Sequence, residues 1–172
     1  MKRVWLHKWL ALDAVWTERV SRIARSILGR FTATIFAHSG DSLLWLIAGV
    51  ILWRFGLGLW AQIGERIVIV TALTWLCTTV LKVLFRRPRP EGEQGLFYLD
   101  IDANSFPSGH AARVCGLAVA LGLLLPGWTA LLLAVWAVCV CSSRVALELH
   151  YLGDVVVGAI LGAGAGLLLI NW

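Results

Sequence analysis

The chain has 172 residues, enough for one domain, and hydrophobic residues make up 59% of it. Its mean hydropathy of +0.81 excludes an ordinary soluble domain and indicates an integral membrane protein. Its formal net charge is +5, but no nucleic-acid-binding motif accompanies the excess of basic residues. We therefore attribute the charge to membrane topology and to contact with anionic lipid head groups, and expect no nucleic-acid partner.

Residues 1–41 are expected to form an N-terminal segment of their own. Within residues 1–30, apolar side chains recur at three- and four-residue steps among frequent charges. This pattern predicts an amphipathic helix that lies in the membrane interface. A sixth spanning helix is the alternative, and it would place about five charges near mid-membrane at roughly 2.5–3.5 kcal/mol each.

Residues 42–172 are predicted to form an all-α membrane bundle with five spanning helices. Their approximate bounds are 42–60, 67–85, 109–125, 128–142 and 151–170. A short polar turn with Glu65 and Arg66 is expected between the first two spans, and a long loop over residues 86–107 joins the second to the third.

The last predicted span carries glycines at four-residue steps, Gly158, Gly162 and Gly166. Such a stripe lets two helices approach closely. Packing within one chain explains it, and a homo-oligomer is allowed but not indicated.

Three polar clusters lie at the ends of these spans. They occupy residues 82–90, 105–111 and 143–154. Counting spans puts all three clusters on the same face of the membrane. An additional N-terminal span would move them together, so the clusters are expected to converge in either case.

Each cluster carries groups suited to phosphoryl transfer. Lys82, Arg89 and Arg144 offer positive charge to phosphate oxygens, two of them as planar guanidinium forks. Ser108 lies in a Pro-Ser-Gly-His turn at a helix start, where a hydroxyl and free backbone N–H groups can donate to an oxyanion. His110 can protonate the departing oxygen.

His150 and Asp154 form the third part of the predicted reaction centre. If residues from about Tyr151 onward are helical, the two side chains lie on one face and the carboxylate can hold the imidazole. An imidazole held in this way can be a nucleophile. On the residues alone, either His110 or His150 could attack phosphorus.

The spacing of these residues resembles a known family signature. The segments Lys82-x6-Arg89-Pro90, Pro107-Ser108-Gly109-His110 and Ser143-Arg144-x5-His150-x3-Asp154 match, in order, that of the type-2 phosphatidic acid phosphatase (lipid phosphate phosphatase) superfamily. The site is similar to that of vanadium haloperoxidases as well. Residues 1–41 carry none of the resemblance.

The resemblance implies a role for each residue. His150 would attack phosphorus and become a phosphohistidine, Asp154 would orient it, and His110 would act as acid and then as base. The phosphate would be held by five groups: Lys82, Arg89, Ser108, the Gly109 N–H and Arg144. No metal and no other cofactor is implied.

The expected function is a metal-independent membrane phosphatase that removes a terminal phosphate monoester from a lipid. Phosphatidate, phosphatidylglycerophosphate and a polyprenyl phosphate are the candidate substrates, and membrane lipids are the expected surroundings. Three alternatives stay open: a polyprenyl diphosphate phosphatase of lipid-carrier recycling, a vanadate-dependent haloperoxidase, and a catalytically inactive lipid-binding membrane protein.

Four other basic residues receive predictions. Arg113 follows His110 by three positions and is expected to meet a lipid head group at the site rim, or else to neutralise Glu148 or the acidic loop. Arg86 and Arg87 are interpreted as interfacial anchors, and His38 as an interfacial residue. With five spans, most basic residues outside the motifs fall on the site's side, which predicts a cell-membrane protein whose active site faces the cytoplasm.

Overall fold

The structure of the protein is a computed structural model that describes residues 2–90 and 104–170. Within these ranges every regular element is a helix, in agreement with the predicted all-α class. Seven α-helices and one short 3-10 helix follow in order: α1 (Lys2–Ser21), the 3-10 helix (Arg22–Arg25), α2 (Ile27–Ser39), α3 (Ser42–Phe55), α4 (Leu59–Phe85), α5 (Gly109–Gly122), α6 (Gly127–Ala146) and α7 (Leu152–Leu167).

Two of the described helices, α4 and α6, are long and apolar enough to cross a membrane by themselves. The pair α2 and α3 meets the same criteria together, with a bend of 43° between them, whereas α5 and α7 are shorter apolar helices. Length and composition thus support two or three spans in the described part of the chain. The number five stays a prediction.

The first turn of the bundle lies earlier than predicted. Glu65 and Arg66 do not form a turn, because both lie inside α4. The chain reverses instead between Phe55 and Leu59, where Gly58 has a φ of 56°, a left-handed conformation that glycine adopts most readily. The prediction was wrong because it followed the polar residues and overlooked the glycines.

Helix α5 forms the centre of the bundle and packs against α4, α6 and α7. Its side of the core includes Leu117 and Leu121, which cluster with Ile67 and Val70 of α4. Burial of these apolar side chains fixes α5 relative to α4.

The glycine stripe of α7 lies directly against α5. A Cβ added at Gly162 would collide with the backbone of Ala112, and one added at Gly158 would collide with the Ser108 carbonyl. The prediction that the stripe packs within one chain is therefore confirmed. Because the two backbones approach closely, the starts of both helices lie together, and the Ser108 N–H donates to the Asp154 carbonyl at 3.0 Å.

The N-terminal part contains two helices rather than one. The helix predicted over residues 1–30 is interrupted after Ser21, and Ser26 caps α2 by accepting a hydrogen bond from the Gly29 N–H at 3.0 Å. Helix α2 packs on α6, and α1 contacts both α6 and α7. The location of residues 1–41 in the membrane interface stays a prediction.

Candidate active site

The structure brings basic residues of the first and third motifs together around His150. Lys82 lies in the last turn of α4, Arg89 follows that helix, and Arg144 lies in the last turn of α6. The charge of each acts on the His150 imidazole. Arg89 also donates to the Leu149 carbonyl at 3.0 Å, which links the first motif directly to the loop that carries the histidine.

His150 is buried in the loop between α6 and α7, where its Nδ1 lies 2.8 Å from the Ser105 carbonyl oxygen. A carbonyl only accepts hydrogen bonds, so Nδ1 carries the proton and donates it. In the neutral ring, Nε2 then holds the lone pair. Ser105 is itself held in place, because its backbone N–H donates to the Arg87 carbonyl and its hydroxyl donates to the Pro88 carbonyl.

The electrostatic surroundings favour the neutral form of this ring. Burial lowers the pKa of His150 to about 4, although the nearby Asp154 carboxylate opposes the shift. The positive charges around the site contribute to the lowering, in the order Arg144, Arg89 and Lys82. The imidazole is therefore uncharged near neutral pH, as a nitrogen nucleophile must be.

The predicted pairing of His150 with Asp154 on one helical face needs correction. Helix α7 begins at Leu152, so His150 lies outside it, and the distance from Nδ1 to the Asp154 Oδ2 is 3.8 Å. That is too long for a hydrogen bond. The buried carboxylate instead accepts from the Tyr151 N–H at 3.0 Å and from Arg87 at 2.7 Å, and it acts on the imidazole as a nearby charge.

Arg87 is not the interfacial anchor that the sequence suggested. Its side chain is only 16% exposed, and its guanidinium bridges Asp154 at 2.7 Å and Asp13 of α1 at 2.8 Å. The guanidinium carbon also lies 3.9 Å from the centre of the Tyr151 ring. An arginine can make these contacts together because its planar fork presents donors in two directions.

Helix α1 completes this arrangement at the start of α7. Asp13 accepts from the Gly153 N–H at 2.8 Å, and the Thr17 hydroxyl oxygen accepts from the Leu152 N–H at 3.0 Å. These backbone groups belong to the first turn of α7, where no partner within the helix exists. We name Asp13, Arg87 and Asp154 the Arg87 network.

The Pro-Ser-Gly-His turn lies at the start of α5, as predicted. Ser108 is the N-cap residue, and its hydroxyl oxygen accepts from the Ala111 N–H at 3.4 Å. The hydroxyl proton can still be donated elsewhere. Since the first N–H groups of a helix point out along its axis, those at Gly109 and His110 are placed to meet an anion.

His110 contacts a carboxylate that belongs to none of the motifs. Its Nε2 lies 2.8 Å from Oδ1 of Asp41, the residue between α2 and α3. Arg113 is also directed to this turn, where it donates to the Gly40 carbonyl at 2.5 Å. Because the Arg113 side chain is buried, it does not form an open rim, and its role with lipid head groups stays a prediction.

Other predicted features lie outside the described residues or receive no structural test. The acidic part of the long loop, Glu91, Glu93, Asp100 and Asp102, lies outside the described ranges. Arg86 is exposed and donates to the Val83 carbonyl at 3.1 Å. Over residues 2–90 and 104–170, no cluster of three or more His, Cys, Asp or Glu side chains suited to a metal ion occurs.

Comparison with known families identifies the chain. The sequence model of the PAP2 superfamily matches residues 65–172, which include all three motifs. The chain belongs to the PAP2 superfamily. Its apolar helices and the membrane proteins among its PAP2 relatives place it in a membrane.

Two curated relatives are similar to this chain in sequence. It is 34% identical over 108 residues to a lipid A 4'-phosphatase of Bacteroides thetaiotaomicron, covering 58% of this chain and 48% of that protein. It is 32% identical over 118 residues to an Escherichia coli protein provisionally named undecaprenyl-diphosphatase YbjG, covering 67% of this chain and 60% of that protein. The chain thus spans only about half to three fifths of these relatives.

Two crystal structures share the fold over nearly the whole chain. Aquifex aeolicus LpxE superposes with a TM-score of 0.77 at 22% identity, covering 94% of this chain and 96% of its own. A PAP2-type phosphatidylglycerolphosphate phosphatase of Bacillus subtilis gives 0.76 at 26% identity, covering 95% and 85%. The similarity of fold therefore includes N-terminal helices that the family model does not match.

Proposed function

We propose that this PAP2 protein is a membrane lipid phosphatase that hydrolyses a terminal phosphate monoester through a phosphohistidine at His150, without a metal ion. The single observation that carries the proposal is the hydrogen bond from His150 Nδ1 to the Ser105 carbonyl. It leaves Nε2 with a free lone pair in a buried site, with three cations close enough to act on the ring. The contact supports His150 as the nucleophile, whereas the Nε2 of His110 faces a carboxylate.

The reaction has two steps. In the first, the His150 Nε2 lone pair forms a bond to phosphorus, the phosphorus–oxygen ester bond breaks, and the departing lipid oxygen takes a proton from Nδ1 of the protonated His110, whose Nε2 contacts Asp41. In the second, His110 removes a proton from water, the water oxygen bonds to phosphorus, and the phosphorus–nitrogen bond breaks to release phosphate. Lys82, Arg89 and Arg144 stabilise the charge on the phosphoryl oxygens in both transition states.

The substrate proposal covers phosphatidate, phosphatidylglycerophosphate and polyprenyl phosphate. The names of the relatives add a lipid A phosphate and an undecaprenyl diphosphate to the compounds worth testing. The polyprenyl diphosphate is thus the second candidate, favoured by the similarity to the Escherichia coli protein.

The test is phosphate release from each lipid by the purified full-length protein in detergent, with a chelator present throughout. We expect at least one lipid to be hydrolysed by the natural protein and not by His150→Gln, which keeps a polar side chain of similar size. Release that requires an added divalent ion would contradict the metal-independent mechanism. Equal release by the two proteins would contradict the role of His150.

We further propose that the site faces the cytoplasm, as the distribution of basic residues predicts. A cysteine introduced at Gly95 in a background without the native cysteines should react with an impermeant thiol reagent only after cells are broken. Reaction in intact cells would place the site on the outer face.

A further inference from the structure

Asp41 is the acidic residue in contact with the proposed catalytic acid. Its Oδ1 lies 2.8 Å from the His110 Nε2, and its Oδ2 lies 3.0 Å from the His38 Nδ1. The three signature segments do not include Asp41, and it lies outside the part of the chain that the PAP2 family model matches.

The turn that carries Asp41 is held from several sides. The Gly40 carbonyl accepts from the buried Arg113, and Ser39 accepts from the indole N–H groups of Trp45 at 2.8 Å and Trp136 at 3.0 Å. A Cβ added at Gly40 would lie 2.9 Å from a Val140 methyl group and 3.4 Å from the His110 ring. Helices α5 and α6 thus fix the turn against His110, so the contact with Asp41 is part of the packed structure.

The positive charges around His110 oppose its protonation, and the Asp41 carboxylate counteracts them. Burial disfavours a positive charge on the imidazole, and the nearby charges of Arg144 and Arg113 disfavour it further. Asp41 is negative and is hydrogen-bonded to the ring. An ionised carboxylate only accepts hydrogen bonds, so the proton in this contact lies on the His110 Nε2.

We propose that Asp41 is the positioning residue of His110: it orients the imidazole through Nε2 and stabilises the positively charged ring relative to the neutral ring, so that His110 can donate a proton from Nδ1 to a poor leaving group. The inference depends on the proposed function, in which His110 protonates the departing lipid oxygen. Asp41 itself does not touch the phosphate. It acts through the hydrogen bond to His110, which stabilises the imidazolium before the ester bond breaks and while the ring removes a proton from water.

The experiment compares leaving groups. An alkoxide is a poor leaving group and needs the proton, whereas p-nitrophenolate leaves readily without one. In Asp41→Asn we expect kcat/KM for a short-chain phosphatidate to fall by about 10- to 100-fold, part of the roughly 10²–10⁴-fold that a general acid supplies. For p-nitrophenyl phosphate we expect kcat/KM to fall by less than about threefold, since its first step does not depend on His110 as an acid.

Two further variants separate positioning from folding. His38→Ala removes the other, exposed partner of Asp41 and is expected to leave the ratio of the two kcat/KM values unchanged. Asp41→Glu keeps the charge and should restore part of the phosphatidate activity. If Asp41→Asn does not fold, Asp41→Glu alone decides, because its altered reach should reduce phosphatidate hydrolysis more than p-nitrophenyl phosphate hydrolysis.

An equal loss on both substrates, or no loss on either, would overturn the role of Asp41. A different result would refute the proposed function: a natural protein that releases no phosphate from any substrate, or a His150→Gln variant that remains fully active. The two failures are therefore distinguishable in one set of assays.

Discussion

The helices α4 to α7, with the segments that connect them, and the N-terminal helices α1 and α2 contribute different groups to the same candidate site. The first group supplies the cations, the two histidines and Asp154, while Asp13 and Asp41, in or next to the N-terminal helices, contact Arg87 and His110. The signature residues of the bundle can be recognised in the sequence because they lie in motifs within the part that the family model matches. Asp13 and Asp41 lie in a region without a motif, which teaches that the family signature describes only part of the candidate site.

The largest effect is expected on the bundle side, from His150→Gln. Loss of the proposed nucleophile should lower kcat by at least about 10³-fold, because in the proposed mechanism the covalent intermediate forms on His150. Protein incubated with ³²P-labelled lipid and quenched in alkaline detergent should contain alkali-stable, acid-labile phosphate only when His150 is present. Labelling of His150→Gln at the natural level would contradict the proposed step.

Arg87 joins the two regions, and its removal should be the next most damaging. Arg87→Ala deprives two carboxylates of a charged hydrogen bond, worth roughly 1.5–3 kcal/mol, so kcat should fall by about 10- to 100-fold. Arg87→Lys should recover little, because an ammonium cannot bridge both carboxylates as the fork does. The matched control is Arg86→Ala, an exposed neighbour whose loss should change kcat by less than about twofold.

The electrostatic effect of the bundle's cations on His150 can be tested by measuring the pKa of that imidazole. Imidazole NMR of the histidine-labelled protein, with His150→Gln for assignment, should give a pKa of about 4 in place of 6.5. The lowered pKa means that the ring stays neutral, and able to attack, as the pH falls from 6.5 towards 4. Arg89→Gln should raise the pKa of His150, and an unchanged value would show that Arg89 does not act on this ring.

The packing within the bundle is tested by two glycines of α7. In Gly162→Ala the new methyl group would meet the Ala112 backbone, so the free energy of unfolding should fall by about 1–3 kcal/mol. Gly164→Ala is the control, since nothing lies within 4 Å of a Cβ at that position. Unfolding in mixed micelles should distinguish the two, and equal stability would contradict the close approach of α5 and α7.

The sequence predicted the parts of this structure that depend on local pattern. Apolar runs identified the bundle helices, and the spacing of Gly158 and Gly162 predicted that α7 packs closely on another helix, which the structure shows to be α5. Helix bounds were less accurate where glycine conformation decided them, as at Gly58. The signature gave the residues around His150, although their individual roles stay predictions.

The remaining site residues had no local signal that could separate them from ordinary alternatives. Arg87 lies in a basic run at a helix end, which is typical of a membrane flank. Asp41 precedes a helix, where an acidic residue is usually a cap. Asp13 is one of several charges on α1, and its partner Arg87 is 74 residues away, so only the tertiary structure brings the two together.

The smallest effect is expected from Asp13→Asn, which tests the N-terminal side directly. An asparagine oxygen can still accept from the Gly153 N–H, but the charge opposite Arg87 is lost, so kcat should fall by about three- to tenfold. Glu18→Gln is the control on the same helix: its exposed carboxylate pairs with Arg22, and its loss should leave kcat within about twofold.

Combining Asp13→Asn with Arg87→Ala separates two accounts of this loss. If Asp13 acts through the Arg87 network, the double variant should be about as active as Arg87→Ala alone, because the contact is already gone. Multiplied losses would mean that Asp13 acts through the start of α7 instead. Full activity in Asp13→Asn would show that turnover does not require the negative charge of Asp13 opposite Arg87.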